Sequence, residues 1–410
     1  MDSLIAAAAR ALQAGDILGA LKRVALREDA PALALRGIAL AQLGDFERAR
    51  ALLKRAEQAF GPREVVARAR CVVAQAEIAL VSRDLGRQDG MLSGGVLAAA
   101  RQALAARGDR LNAAHAGHLE IRLMVLLGRL DQAERLLADL DPAPFPPAAR
   151  AAHELVVAGI AVRRLDIGAA RQALARAQAA ADHAPIAALR AEVAAAARLL
   201  DAPAARRLGG GAEARMLRLD EVEALLAGPA LIVDACRHVV RQGGTQVGLA
   251  SRPVLFALAR TLAEAWPADA GREALLAGAF RAREADESHR ARLRVEIGRL
   301  RRALRDLATI TATRRGFMLV PRGQAVVVLA PPVEDDHAAV LALLADGEAW
   351  SSSALALALG ASQRTVQRAL EALRAAGKAQ AHGSGRARRW IAPPLGFTTT
   401  LLLPGPLPAD

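Results

Sequence analysis

Two stretches of this 410-residue chain place arginine where it could hold phosphate or read the edges of bases. From Ser288 to Arg322, ten arginines stand against two acids, Glu296 and Asp306. Within that stretch Leu293, Ile297, Leu300, Leu304 and Leu307 recur at spacings of four, three, four and three, the period of one helical face. At about 100° per residue, Arg290, Arg294, Arg301 and Arg305 gather on one flank of that stripe. Gly298 lies between them, where a backbone could approach closely. The segment that follows carries Thr313-Arg314-Arg315-Gly316 between two strand-like runs, which predicts a hairpin with Arg314 and Arg315 at its tip. A guanidinium is always charged and offers its donors in a fixed fork, so such a set neutralises phosphates and can bridge guanine O6 and N7.

The second stretch is residues 336–393. A helix over Asp336–Ala345 turns Val340, Leu341 and Leu344 inward. Ser352 or Ser353 is placed to cap a second helix, and Gly360-Ala361-Ser362 makes a turn in which Ser362 caps a third. The third, Gln363–Ala376, buries Val366, Ala369, Leu370 and Leu373 and shows Arg364, Gln367, Arg368 and Glu371 on its other face, with Gly377 ending it. Lys378–His382 and Arg386–Ile391 then pair around Gly383-Ser384-Gly385, adding Arg386, Arg388 and Arg389 and no acid. Glutamine can pair with adenine N6 and N7 as arginine does with guanine. Gln363, Arg364, Gln367 and Arg368, with the three hairpin arginines, are therefore the second candidate set.

Helices, a basic helix and a basic-tipped hairpin occur in that order in winged-helix modules. On "VEIGRLRRAL" (Val295–Leu304) and "ITATRRGFMLV" (Ile310–Val320), residues 229–330 resemble the OmpR/PhoB-like effector domain of response regulators. That family's N-terminal sheet corresponds to the strand-like runs Ala230–Ala235 and Arg237–Ala250, the latter with a hairpin signal at Gln242-Gly243-Gly244-Thr245. A helix capped by Ser251 with Leu255, Leu258, Ala259 and Leu262 on one face, and a second over Gly271–Phe280, complete the resemblance. It departs at Thr313 and Arg314, where the family carries arginine and glycine before the turn. Residues 336–393 resemble the generic bacterial winged helix. Both resemblances imply double-stranded DNA as partner, the basic helix in the major groove and the hairpin on adjacent phosphate or minor groove.

The rest of the chain must position these sets. Residues 1–200 repeat alanine, leucine and arginine at helical spacing. "ALRGIALAQLGDFERARALLKRAEQAF" (Ala34–Phe60) resembles a tetratricopeptide-type helix pair, with Gly37 at a close crossing, Leu43-Gly44-Asp45-Phe46 at the turn, and Ala49 and Ala56 on the second helix. Weaker echoes at Leu12–Arg23, Leu126–Pro142 and Val162–Ala177 predict four or five degenerate repeats with an irregular segment near Asp84–Gly95; an alanine-rich helical bundle is the alternative. Residues 201–228 read as a linker with one short helix, Leu219–Leu226. A last strand, Ala325–Ala330, precedes a short stiff linker, 331–335, with Pro331 and Pro332. Six residues separate Leu329 from Asp336 and span at most about 20 Å, which predicts one composite DNA site. Residues 394–410 form a tail. The expected fold is thus multidomain: an all-α helical-repeat N-terminal domain followed by two α+β winged-helix domains.

Composition narrows the function. Hydrophobic residues make up 53%, enough to build cores and exclude global disorder. Aromatics are 2% with no tyrosine, so stacking on bases is not the main mode of recognition. A net charge of +13 favours a polyanionic partner. Cys71 and Cys236 exclude a disulfide framework and a cysteine-built zinc site; both are expected half-buried in a reducing cytoplasm. The acid in "MDSLIAAAAR" argues against a signal peptide, and five prolines between Trp390 and Ala409 argue against a membrane span there. His115 and His118 share a helix face without a third ligand and read as solvated or capping, while His238, His289 and His382 lie in the basic stretches. Phosphate-loop, nucleophile-elbow and zinc-protease motifs are missing. The chain reads as a non-enzymatic, cofactor-free and metal-free transcription regulator, cytoplasmic and nucleoid-associated. Its helical stretch would serve a homodimer contact, RNA polymerase or another protein, or a ligand-responsive surface. The alternatives are a helical-repeat scaffold whose winged helices contact proteins, and an architectural DNA-bending protein.

Overall fold

The computed structural model describes residues 3–82, 95–184, 186–209, 214–280, 287–332, 337–344, 349–359, 361–382, 385 and 388–391. The chain divides into two compact units, residues 1–199 with 339–410, and residues 200–338. The first stretch is helical throughout its described residues: α1 (Ser3–Gln13), α2 (Ile17–Val24), α3 (Ala30–Gln42), α4 (Phe46–Ala59), α5 (Val65–Val81), α6 (Val96–Ala106), α7 (Arg110–Leu126), α8 (Leu130–Ala138), α9 (Pro147–Arg164), α10 (Ile167–Asp182) and α11 (Ala187–Asp201). The irregular segment expected near Asp84–Gly95 lies almost wholly outside the described residues.

One turn device recurs. Gly15, Gly44, Gly108 and Gly128 adopt left-handed backbone, and the N–H of the residue after each bonds the carbonyl five positions back, as in Asp45 to Leu40 and Asp109 to Leu104. Leu165 holds the same conformation, with Asp166 bonded to Ala161. At four of these five turns the next residue is an aspartate whose carboxylate caps the following helix: Asp16, Asp45, Asp109 and Asp166 accept from the N–H groups of Gly19, Arg48, Asn112 and Ala169. The same dipeptide ends one helix and starts the next. Gly108-Asp109, between α6 and α7, has this signature although the sequence expectations do not include it. Gly37 is needed for packing: a Cβ there would lie 2.7 Å from Leu53 Cγ and 3.1 Å from the Ala49 carbonyl oxygen.

His118 and His153 are buried and His115 is half-buried, so His115 and His118 are not solvated as expected, whereas His183 is exposed. His118 is 3% exposed, its Nε2 3.1 Å from His153 Nδ1, with Phe145 edge-on to both rings. His115 Nε2 lies 3.0 Å from the buried Glu77 carboxylate. Burial, reinforced by His115 and His153, pushes the His118 imidazole down to about 2, and burial also lowers His153. The cysteines depart from expectation in opposite directions: Cys71 is buried, its thiol pushed up to about 12 by desolvation, and Cys236 is exposed.

Residues 200–338 form an α+β unit. The expected linker is part of its sheet: β1 (Ala205–Leu208) and β2 (Arg215–Leu217) precede α12 (Leu219–Ala227). Next come β3 (Leu231–Asp234), β4 (Val239–Gln242), β5 (Thr245–Gly248), α13 (Pro253–Ala265), β6 (Ala270–Gly271), α14 (Arg272–Phe280), α15 (Glu287–Leu304), β7 (Ala308–Ala312), β8 (Gly316–Pro321) and β9 (Val326–Ala330). Six strands run in the order β2-β1-β9-β3-β4-β5, with β3 and β9 parallel and the other neighbours antiparallel; β6-β8-β7 form a second sheet. β3 and β9 are buried along their whole length, the pattern of central strands. β1 is recruited by β9, pairing Arg206 with Ala330 and Leu208 with Val328. Its "ARRL" sequence has no apolar alternation, which is why it read as linker. α13, α14 and α15 pack on these sheets through Leu255, Leu258, Leu262, Leu275, Leu293 and Leu300. α13 starts at Pro253, so Arg252 and not Ser251 is its N-cap, because proline suits the first helical position.

The remaining described elements are α16 (Ala338–Leu344), α17 (Ser352–Leu359), α18 (Gln363–Ala375), β10 (Gln380–His382) and β11 (Arg389–Ile391). Ser351, one residue before the expected caps, accepts the Ala354 N–H at 3.1 Å, and Ser362 accepts that of Thr365 at 3.2 Å. Trp350 and Trp390, both buried, exchange two backbone hydrogen bonds of 2.8 Å. Their apolar cluster continues through Leu355, Leu370 and Leu373 into Val73, Leu104 and Leu119 of α5, α6 and α7, so these elements share a core with the helical stretch. Among the described residues no helix is long and apolar enough to cross a membrane.

The histidine pair predicts a pH dependence. Unfolded His118 binds a proton near pH 6.5, whereas the folded chain refuses it until about 2. The stabilisation is complete above the unfolded value and is lost as pH falls below it, at about 1.4 kcal/mol per pH unit for one proton. His153 adds in the same direction. Urea unfolding at about pH 7 and pH 5.5 should show this loss, and His118→Leu should reduce the slope by about one proton.

Candidate nucleic-acid interface

The rotation of α15 decides what its arginines can do. Leu293, Ile297, Leu300 and Leu304, each at most 2% exposed, face the core. Arg290, Arg294, Arg301 and Arg305 are then exposed along one flank, as the spacing predicts. Their environments differ. Arg301 is bound to the hairpin: its Nε donates to the Ile310 carbonyl at 2.7 Å and its guanidinium lies 5.8 Å from the Phe317 ring centroid. Arg305 stands 3.4 Å from Asp306, both exposed. The Arg294 guanidinium has no partner among the described residues. Sequence reasoning missed the other flank, where Arg292 lies over the Phe280 ring at 4.7 Å and Arg299 pairs with the buried Glu296 at 2.8 Å. It also missed Arg302, which joins Arg252 and Arg299 around a cleft of about 610 Å³ between the start of α13 and α15. The same helical arithmetic that found the first flank could have found these.

The hairpin between β7 and β8 is held at its tip. Arg272 donates to the carbonyls of Arg314 at 2.7 Å and Thr313 at 3.2 Å. Thr313 Oγ1 donates to Asp269 at 2.6 Å and accepts the Gly316 N–H at 2.9 Å. These bonds fix the turn and leave the Arg314 and Arg315 side chains projecting, the latter 79% exposed and 3.9 Å from Asp269. Thr313 is therefore a structural bracket for the tip.

On α18 the buried residues are Val366, Ala369, Leu370 and Leu373, as expected, and Gln363, Arg364, Gln367 and Arg368 are exposed. Gln363 reaches back to Ser352 Oγ at 3.2 Å, leaving Arg364, Gln367 and Arg368 as the outward trio. The hairpin arginines beside it are drawn inward: Arg388 pairs with Glu371 at 2.9 Å and stacks 4.4 Å over Trp390, and Arg389, half-buried, donates to the Arg388 carbonyl at 3.2 Å. The acid that neutralises this hairpin comes from α18, a tertiary pairing that strand reading could not supply. Arg386 lies outside the described residues, as does the side chain of His382. His238 packs edge-on to Phe256, and His289 lies 6.3 Å from Phe280.

What this arrangement offers is fixed positive charge and hydrogen-bond donors on exposed helices and a rigid turn. Among the described residues no group of three or more His, Cys, Asp or Glu could hold a metal ion. No protein family, curated protein or solved structure matches the chain.

The tip geometry predicts the effect of one substitution. A Cβ on Gly316 would sit 1.9 Å from the Ala270 carbonyl oxygen, so Gly316→Ala must break the β6–β8 pairing. The expected loss is about 1–3 kcal/mol of stability in this unit, the usual cost of forcing in a methyl group. Chemical denaturation measures it.

Proposed function

We propose that this chain is a sequence-specific, DNA-binding transcription regulator, with one winged-helix module in the unit of residues 200–338, a second in α16 to β11, and a tetratricopeptide-like helical-repeat stretch at 1–200. The observation that carries this reading is the joint presentation of α15 and its hairpin. The helix holds arginines outward, and the turn beside it is clamped so that Arg314 and Arg315 project. Like charges held rigidly together raise the energy of the free protein, and a polyanion that neutralises them recovers it.

In this reading α15 lies in a major groove while the hairpin grips adjacent phosphates. α18 supplies a second reader through Arg364, Gln367 and Arg368. The helical stretch provides the contact to a second copy, to RNA polymerase or another protein, or to an effector. No residue is required to catalyse a reaction, no cofactor is involved, and the place of action is the nucleoid in the cytoplasm.

Fluorescence anisotropy of a labelled duplex across a salt series tests the proposal. With 6–10 phosphate contacts, affinity should fall by roughly 10³–10⁵ between about 50 and 200 mM salt. Arg294→Ala and Arg314→Ala should each lower the log–log slope by about one, on all sequences alike. Arg364→Ala or Gln367→Ala should instead relax sequence preference, at about 1–3 kcal/mol for each bidentate base interaction removed. A slope near zero for the intact chain overturns the reading and favours a scaffold whose modules contact proteins.

A further inference from the structure

We infer that the row Ala291, Val295, Gly298 and Arg302 is the base-reading strip of α15, and that Val295 recognises the 5-methyl group of thymine. The inference rests on the DNA-binding proposal above and names what that surface reads.

The row repeats at spacings of four, three and four, as the core stripe Leu293, Ile297, Leu300 and Leu304 does. At about 100° per residue, it lies roughly 160° around the helix from that stripe. It is therefore the part of α15 that leads into any groove the helix enters. Ala291, Val295 and Arg302 are exposed, Val295 to 54%, and Gly298 is half-exposed. Arginines border the row on both sides: Arg290, Arg294, Arg301 and Arg305 on the hairpin flank, Arg292 and Arg299 on the other. Such a layout suits a major groove, where a phosphate backbone runs along each side of the helix and base edges lie between.

Gly298 is the most informative member. It sits inside an 18-residue helix, where glycine costs stability relative to alanine. Its backbone is not left-handed, and a Cβ built there would meet nothing within 4 Å. Among the described residues, neither conformation nor packing calls for a glycine. A surface from outside that approaches the helix backbone does call for one.

Val295 stands one turn before Gly298 in the same row. Its isopropyl group cannot hydrogen-bond, and the apolar feature that a major groove offers is the thymine methyl. Arg302, seven residues on and about 10 Å along the axis, has the fork that matches guanine O6 and N7 some three base pairs away. The strip therefore selects a thymine and a guanine at that separation.

The test uses the full chain and duplexes selected by it from a randomised library of about 20 base pairs. In a selected duplex, thymines are replaced one at a time by uracil, which removes only the methyl. At one position the change should lower affinity about fourfold, the value of one apolar carbon taken from water. Val295→Ala should abolish that discrimination while leaving the salt slope unchanged. Gly298→Ala should raise the thermal midpoint, since the helix gains a better helix former in open space. It should also weaken binding to the selected duplex roughly tenfold, as an added methyl does in a close-packed interface. The strip is wrong if no thymine is sensitive to the replacement, if Val295→Ala keeps the discrimination, or if Gly298→Ala lowers the thermal midpoint or leaves affinity intact. In each of those outcomes, salt-dependent binding still upholds the DNA reading. Failure to select any duplex, with salt-independent binding, removes both.

Discussion

Four buried side chains, Leu293, Ile297, Leu300 and Leu304, set the rotation of α15, and the exposure of every arginine on that helix follows from it. They dock on α13 and α14 through Leu258, Leu262 and Leu275 in the core of residues 200–338. Burying such side chains is worth about 1.5–3 kcal/mol each, whereas an exposed arginine gains little from any one orientation. The apolar stripe therefore wins, and the charged residues take whatever direction it leaves them. Two arginine flanks, with the row Ala291, Val295, Gly298 and Arg302 between them, are the geometric consequence.

That consequence would be of little use on a loose support. The helix ends against β7, where Arg301 binds the Ile310 carbonyl, and the hairpin is fastened to the start of α14 by Arg272. Two arginines are thus structural fasteners within a surface otherwise built to present charge. A tally of basic residues overestimates the available charge for this reason, and the same holds at Arg388, which Glu371 and Trp390 hold. Preorganised donors lose less freedom on binding than flexible ones, so in the proposed DNA-binding role the fasteners contribute indirectly.

The helical stretch follows different rules. Its turns are local devices, a left-handed residue followed by a capping aspartate, repeated with little variation. Its interior is alanine-rich, so helices approach closely, as at Gly37 against Leu53. Polar groups inside are paired, His118 with His153, Glu77 with His115, Gln75 with Glu57 and Asn112 with Asp109. The apolar cluster joining α5, α6 and α7 to Trp350 and Leu370 makes the C-terminal elements part of this body. A disturbance of the helical stretch can therefore reach α18 through packed side chains.

Sequence alone determined whatever is local and periodic. The core stripe of α15, the buried face of α18, the Ser362 cap, the Gln242–Thr245 hairpin and the outward Arg364, Gln367 and Arg368 all follow from spacing and turn chemistry, which act over a few residues. Tertiary structure decided whatever depends on a distant partner. β1 is a strand because β9 presents unpaired backbone groups beside it, although the two are over a hundred residues apart. Arg301 and Arg388 are held because Ile310 and Glu371 come within reach, and His118 is buried because α9 brings His153 and its helix against α7. A hydrogen bond or ion pair between residues far apart in the chain leaves no periodic trace in the sequence, since only folding brings the two groups to the distance at which they interact.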